Sequence, residues 1–314
     1  MPPHALPRAR WHSGPVTSPT TPPRHGTAPR AVVLVLVGIV SVQAGAAAAK
    51  SAFGDVSPTT LVWLRLLTSA LVMWAVARPH LRGRARADWT AAVGFGLSLA
   101  VMNWAIYQSF ARIPLGIAVT IEFVGPLAVA LFGFRRVRDL LWVVVAGLGV
   151  LLLGAERADL DPLGVAYALL AGVAWAAYIV MSVRTGRRWP GFDGLAVASA
   201  VAAALLAVPA LLGGGDALLD PRILAVGAAV GLLSSVVPYS CELVALRTLP
   251  PATFGILMSL EPAAAALAAM AVLGEWLTGT QWLAVACVVV ASVGATRAAG
   301  RGDGTAVPAA PSTN

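Results

Sequence analysis

The feature that most constrains this chain is a succession of long apolar segments separated by short polar loops. Each segment is close to the ~20 residues that an α-helix needs to cross a bilayer. Only 11% of the 314 residues are charged, whereas soluble domains carry about a quarter. The pattern predicts an all-α integral membrane protein with ten transmembrane helices, at 31–49, 58–77, 89–110, 114–134, 139–154, 162–183, 194–212, 221–243, 251–273 and 278–296.

The two ends of the chain differ from this core. Residues 1–30 contain Pro, Arg, Ser, Thr and His without periodicity, which predicts a disordered tail, and we expect a second tail at 298–314. The first apolar segment ends in AGAAAA, which resembles a signal-peptide cleavage site. We favour a retained helix, because the region before it is long for a signal peptide and the later crossings need it.

Basic residues are distributed unevenly among the loops. Seventeen of the 22 Lys and Arg residues fall in the two tails and alternate loops, four fall in the other loops, and Arg65 alone lies within a span. Cytoplasmic loops carry such an excess. The bias predicts a multi-pass protein of the bacterial cytoplasmic membrane with both termini in the cytoplasm. The net charge of +8 therefore comes from loops that face the membrane lipid, and it does not indicate binding of nucleic acid. The sequence does not indicate an oligomeric state.

The two halves of the chain are related by a weak internal repeat. A shift of 136 residues superposes Pro114 on Pro250 and Pro126 on Pro262. Each half, at 31–154 and 162–297, would hold five spans, and an odd number means that the halves cross the membrane in opposite senses. Inverted repeats of this kind recur in secondary transporters, with the substrate site at the midplane between the halves.

Four ionisable residues lie inside predicted spans: Arg65, Glu122, Glu242 and Glu261. Such residues are costly in a bilayer and usually face a cavity, a partner or a substrate path. Glu122 and Glu261 are candidates for binding a cationic substrate group or a coupling proton, or for structural pairing. Arg65 could receive a substrate carboxylate or neutralise a glutamate. Glu242 lies near a helix end, which favours an interfacial role.

The prolines and polar side chains add to this candidate site. Pro126 has no N–H, so the carbonyl of Glu122 loses its helical donor, and Pro262 disfavours regular helix at Glu261, the residue directly before it. Asn103 and Tyr107 are spaced to share one helix face, and Tyr239 follows a proline in the other half. These three side chains either line a polar cavity or make helix–helix hydrogen bonds.

Other chemistries have little support in the sequence. The four histidines lie in the N-terminal tail or a loop, and the two cysteines have no metal-ligand spacing, so we expect no metal and no cofactor. No nucleophile–base constellation or nucleotide-binding loop is present in a suitable context. The sequence therefore favours a membrane protein that is not an enzyme. Its loops are too short to hold a soluble domain.

The chain resembles the drug/metabolite transporter superfamily, with two EamA-type halves. Three stretches resemble its threonine/homoserine exporter branch: NWAIYQSFARIPLGIAVTIEFVGPLAVALF (103–132), VPYSCELVALRTLPPATFGILMSLEPAAAALAAMAVLGE (237–275) and QWLAVACVVVASVGA (281–295). The resemblance implies a central cavity, alternating access, and export of small neutral amino acids by proton exchange. A zwitterionic substrate would need an anionic and a cationic partner, which Glu122, Glu261 and Arg65 could supply. The alternative is export of another metabolite or drug on the same fold.

Overall fold

The computed structural model describes residues 28–132, 140–155, 160–246, 248–249 and 251–302. These residues form α-helices without strands. The first half contains α1 (Ala28–Ser51), α2 (Pro58–Ala77), α3 (Arg86–Phe110), α4 (Leu115–Glu122), α5 (Val124–Phe132) and α6 (Leu140–Ala155). The second half contains α7 (Pro162–Gly186), α8 (Asp193–Gly214), α9 (Pro221–Gly231), α10 (Val237–Leu246), α11 (Pro251–Met258), α12 (Glu261–Ala268) and α13 (Gly279–Gly302).

The helices follow the predicted segments, with corrections where a segment is broken or extended. The segment at 114–134 is divided into α4 and α5, and that at 251–273 into α11 and α12. Helix α1 begins at Ala28 and α13 ends at Gly302, so helix extends into both predicted tails, whose remainder lies outside the described residues. Within the described ranges, seven helical stretches are long and apolar enough to span a bilayer, and two shorter apolar ones occupy Leu115–Val129 and Gly279–Ala295.

Three helices begin with the same local chemistry. An N-cap side chain accepts a hydrogen bond from a first-turn N–H, and a proline occupies the first helical position, where no N–H is needed. The pairs are Ser57–Pro58 for α2, Asp161–Pro162 for α7 and Asp220–Pro221 for α9. These caps set the starting points of the helices, because they satisfy backbone donors that a helix end leaves unpaired.

Two segments depart from regular α-helix in the second half. Residues Leu232–Val236 and Ala269–Leu273 are π-helical, the first between α9 and α10 and the second after α12. A π turn inserts an extra residue into the helix, and such turns are frequent at functional sites. The segment Leu232–Val236, which we call the π turn of α9–α10, packs against both α1 and α2.

Long-range packing joins the two halves throughout the bundle. Helix α3 packs along α7 and α8, α2 along α8 and α9, α1 along α10, and α6 along α13. The short helices lie inside this framework, with α4 against α7 and α12. At the α4–α12 crossing, a Cβ added to Gly116 would lie 2.8 Å from the Cα of Ala266, so glycine allows the backbones to approach closely.

Candidate transport cavity

A cavity of about 550 Å³ lies between the two halves of the bundle. Its wall is formed by residues of α1–α5, α7 and α10–α13, together with the π turn of α9–α10. Apolar side chains make up most of the lining, and one guanidinium and three carboxyl groups are set among them. Cavities of this size and composition hold small solutes.

The cavity receives its carboxyl groups from three helices. Glu122 is the last residue of α4, Glu261 is the first residue of α12, and Glu242 belongs to α10. Glu122 and Glu261 are 8% and 7% exposed, whereas Glu242 is half-buried. Glu242, for which an interfacial role was expected, lies on α10 in the cavity wall, one helical turn after Tyr239.

The two broken helices place their ends at the cavity in the same way. Helix α4 ends at Glu122, four residues before Pro126, and α11 ends at Met258, four residues before Pro262. In each case the carbonyl four residues before the proline has no N–H to accept from along the helix. Pro126 lines the cavity, and Pro262 is buried outside its lining.

Close packing on α7 supports the first break. A Cβ added to Gly172 would lie 2.8 Å from the carbonyl oxygen of Glu122, and a Cβ added to Gly125 would collide with the backbone of Gly172. Beside this contact, the rings of Phe123 and Trp175 stack edge to face with centroids 5.5 Å apart. Glycine is required here because the two backbones are in direct contact.

Arg65 is held in the cavity wall by the π turn of α9–α10. Its Nη2 donates to the carbonyl oxygen of Ser234 at 3.0 Å, and its Nε donates to Ser235 Oγ at 3.4 Å. The guanidinium carbon lies 5.6 Å from the ring centroid of Tyr107. Arg65 is 8% exposed, so these contacts position a desolvated positive charge.

The charged groups of the cavity do not pair with one another as ion pairs. Among the described residues, ion pairs within 4.0 Å involve other side chains, such as Lys50 and Glu275 at 2.5 Å. Of the two interpretations of Arg65, direct neutralisation of a glutamate is therefore not observed. A guanidinium and three carboxyl groups instead face a common space, which suits recognition of a ligand that carries both charges.

The structure separates two side chains that were predicted to share a face. Asn103 lines the cavity, and its Nδ2 donates to the carbonyl oxygen of Leu99 at 2.9 Å. Tyr107 is fully buried outside the lining, between Phe53 and Phe110. Its relation to the site is indirect, through the guanidinium of Arg65. Tyr239 is part of the lining, which corresponds to the cavity alternative of its two interpretations.

Several lining residues were not singled out from the sequence. Gln43 and Ser234 contribute buried polar groups, and Trp175 and Tyr178 contribute aromatic rings. Gln43 carried a usable signal, since it is an amide in the middle of an apolar segment. The described residues contain no group of three or more His, Cys, Asp and Glu side chains arranged to hold a metal ion.

A multi-pass helical bundle with a charged central cavity defines a membrane transporter, and known proteins agree with this class. The profile of the EamA-like transporter family matches residues 162–297. The threonine/homoserine exporter RhtA of Salmonella typhimurium is 43% identical over 84% of this chain and 90% of its own length. RhtA of Escherichia coli is 42% identical over the same shares. The chain therefore belongs to the EamA-like transporter family, and it is a transporter rather than an enzyme.

A solved structure shares this architecture. A crystal structure of another protein superposes on the chain with a TM-score of 0.61 at 21% identity, over 87% of this chain and 98% of the other. This likeness shows a common fold.

Proposed function

We propose that the protein exports small neutral amino acids such as threonine and homoserine across the cytoplasmic membrane. The observation that carries this proposal is a cavity in which Arg65 faces Glu122, Glu242 and Glu261 without ion pairing. A zwitterion offers a carboxylate to the guanidinium and an ammonium group to the acids. The names of the relatives support the same substrate class.

The lining also distinguishes this proposal from export of a bulky apolar drug. A cavity walled mainly by Trp and Leu would favour the latter. The described lining contains Trp175 as its one tryptophan and contains no leucine, while it holds four charged side chains. A competition assay in proteoliposomes distinguishes amino-acid export from drug export. It measures how a panel of amino acids and cationic drugs inhibits the transport of labelled threonine. We expect small neutral amino acids to compete, and competition by drugs alone would contradict the proposal.

Proton antiport is the proposed driving reaction. Three ionised carboxylates beside one guanidinium would leave excess negative charge in a medium of low dielectric constant, so binding of a proton by one acid relieves repulsion. An ammonium group that enters the cavity would displace this proton, and the exchange couples the two fluxes. Efflux of labelled threonine should accelerate when the outside is acidified. Efflux that is independent of the proton gradient would contradict antiport.

The proposed architecture is ten transmembrane helices in two inverted repeats, at 31–154 and 162–297. Helix contacts support it, because they occur in equivalent pairs when the halves are exchanged. The contacts of α3 with α7 and α8 correspond to those of α10 with α1 and of α9 with α2, and the contacts α2–α8 and α6–α13 correspond to themselves. Alternating access would then be a rocking of one half against the other.

The proposed location is the bacterial cytoplasmic membrane, with both termini in the cytoplasm. The excess of Lys and Arg in alternate loops supports this orientation. Single cysteines introduced into the two tails, in a variant with Cys241 and Cys287 replaced, should be labelled by an impermeant maleimide only after the membrane is opened. Labelling in intact cells would contradict the orientation.

A further inference from the structure

The two ends of the cavity differ in how far they are exposed. Where α5 and α7 finish and α11 begins, the outermost lining residues are half-buried: Val129, Ile179, Glu242 and Phe254. Where α1 and α3 finish and α4 begins, the outermost lining residues Ala46, Phe110 and Val119 are buried. The cavity is therefore open at the first end of the bundle and closed at the second. In the proposed orientation, the closed end faces the outside of the cell.

Aromatic rings and apolar side chains fill the closed end. Phe110 lines the cavity, and its ring centroid lies 5.8 Å from that of Tyr107. Tyr107 in turn lies 5.9 Å from Phe53, in the loop that follows α1. Ile113 and Leu115, at the start of α4, are 2% and 0% exposed beside these rings. A solute in the cavity cannot pass this end unless these groups move apart.

An ion pair joins the two halves of the chain at the closed end. Lys50 Nζ, at the end of α1, lies 2.5 Å from Glu275 Oε1, in the segment after α12. The other carboxylate oxygen of Glu275 accepts from the N–H of Leu115 at 2.8 Å. Lys50 Nζ also donates to the carbonyl oxygen of Ile113 at 2.8 Å. Glu275 of the second half thus holds the end of α1 and the start of α4, both of the first half.

The backbone before Glu275 accounts for its position. The π-helical segment Ala269–Leu273 ends at Gly274, whose φ of 66° is a left-handed conformation that glycine adopts without strain. The N–H of Glu275 donates to the carbonyl oxygen of Ala269 at 3.3 Å and closes this segment. Glu275 therefore leaves the helix at a sharp turn, and its carboxylate reaches the first half.

From this geometry we propose that Lys50 and Glu275 form a latch that holds the outer end of the cavity closed and must part before substrate is released. The inference rests on the proposed alternating access and orientation, and it holds for any substrate. Rocking of the halves separates the contacts at the closed end. The Lys50 and Glu275 side chains are 17% and 22% exposed, so water solvates both charges when they separate. A fully buried pair would separate at a much larger cost.

The test measures from which side of the membrane a thiol at the closed end of the cavity is reached. Ala46→Cys supplies this thiol in a variant with Cys241 and Cys287 replaced. An impermeant methanethiosulfonate reagent is applied to intact cells and to inverted vesicles. We expect faster labelling in inverted vesicles while the latch is intact. Glu275→Gln should raise labelling in intact cells about tenfold, because lost charge-assisted contacts shift the equilibrium towards the outward-open state.

Asp161→Asn is the matched control, because it makes the same change of charge at the same end of the bundle. Asp161 pairs with Arg112 at 3.6 Å, but α3 and α7 also pack along their length, so loss of this pair should not part them. Asparagine still caps α7. Labelling in intact cells should therefore stay unchanged. An equal rise in both variants, or no rise in Glu275→Gln, would overturn the latch.

A crosslink tests the latch in the opposite sense. Lys50→Cys and Glu275→Cys are combined in the same cysteine-free variant and joined by a bifunctional methanethiosulfonate reagent. Export of labelled threonine should stop and should return on reduction, whereas either single cysteine treated alike retains its export. Undiminished export by the crosslinked protein would overturn the latch. Labelling of Ala46→Cys requires no threonine transport, so failure of the unsubstituted protein to export threonine would contradict the proposed function alone.

Discussion

The two broken helices, α4–α5 and α11–α12, are alike in backbone and different in chemistry. In both, a helix ends four residues before a proline, and a glutamate lies at the break. Glu122 ends the helix before the first break, whereas Glu261 begins the helix after the second. The prolines thus account for two similar breaks in the backbone. The position of the glutamate, before the first break and after the second, differs between them.

The two glutamates enter the cavity from different halves of the chain. Glu122 comes from α4 and Glu261 from α12, and both share the cavity with Arg65 and Glu242. Recognition of a zwitterion needs a carboxylate for its ammonium group, and antiport needs a carboxylate that binds and releases a proton. We propose that these two roles are divided, with substrate binding at Glu122 and proton transfer at Glu261.

The largest effect is expected for Glu122→Gln. Loss of a buried carboxylate that faces the substrate ammonium group removes a charge interaction of about 2–5 kcal/mol, which corresponds to a fall in export of about 30-fold or more. Efflux of labelled threonine from proteoliposomes measures it, with equal amounts of monodisperse protein as the control. Export within about twofold of the unsubstituted protein would contradict a binding role.

A smaller effect, about tenfold, is expected for Glu261→Gln under a proton gradient. Arg65, Glu122, Glu242 and Tyr239 all lie on the same cavity as Glu261, and the amide removes only the titratable group. Gradient-driven efflux should fall and its dependence on external pH should flatten, because the group that exchanges the proton is gone. A pH profile that keeps its shape in the variant would assign the proton to another acid.

The structural support of the two breaks should also differ. Gly172→Ala introduces a methyl group 2.8 Å from the carbonyl oxygen of Glu122, and overpacking of this kind costs about 1–3 kcal/mol. We expect a lower thermal transition temperature and weaker export. Gly147→Ala on α6 is the control, because no atom lies within 4 Å of its added Cβ. A transition temperature that Gly172→Ala leaves unchanged would show that α7 does not hold the break.

The second break is supported by a hydrogen bond instead of a backbone contact. Ser259 Oγ lies 2.9 Å from the carbonyl oxygen of Gly255 and 2.7 Å from Ser292 Oγ on α13. Ser259→Ala should cost about 1 kcal/mol, because the hydrogen bonding of one neutral hydroxyl is lost and no atom is forced aside. Its effect on the thermal transition should be smaller than that of Gly172→Ala. The reverse order would mean that the second break is the more tightly held.

The sequence was sufficient for the helical fold and for much of the cavity. Apolar length predicted where helices form, and the chemistry of proline pointed to Pro126 and Pro262. Arg65, Glu122, Glu261, Asn103 and Tyr239 all line the observed cavity. Charged and polar groups within apolar segments are informative because they need a polar environment.

What the sequence could not supply was the face that each helix presents to its neighbours. Glu242 was expected to have an interfacial role. The π turn of α9–α10 precedes α10 and changes the face that α10 presents, and Glu242 lies in the cavity wall. Tyr107 lies one helical turn from Asn103, yet Phe53 and Phe110 cover it. Gln43 and Ser234 line the same cavity only in the folded bundle, where α1 packs against the π turn. These features depend on tertiary contacts.

The central claim, that Glu122 binds the substrate and Glu261 transfers the proton, is tested most directly by threonine counterflow. In this assay labelled threonine exchanges for unlabelled threonine without a net proton flux, so it requires substrate binding and alternation of the loaded protein but no proton transfer. We predict that Glu261→Gln retains counterflow and loses gradient-driven export, whereas Glu122→Gln loses both. Equal loss of counterflow in the two variants, or its loss in Glu261→Gln alone, would contradict the claim.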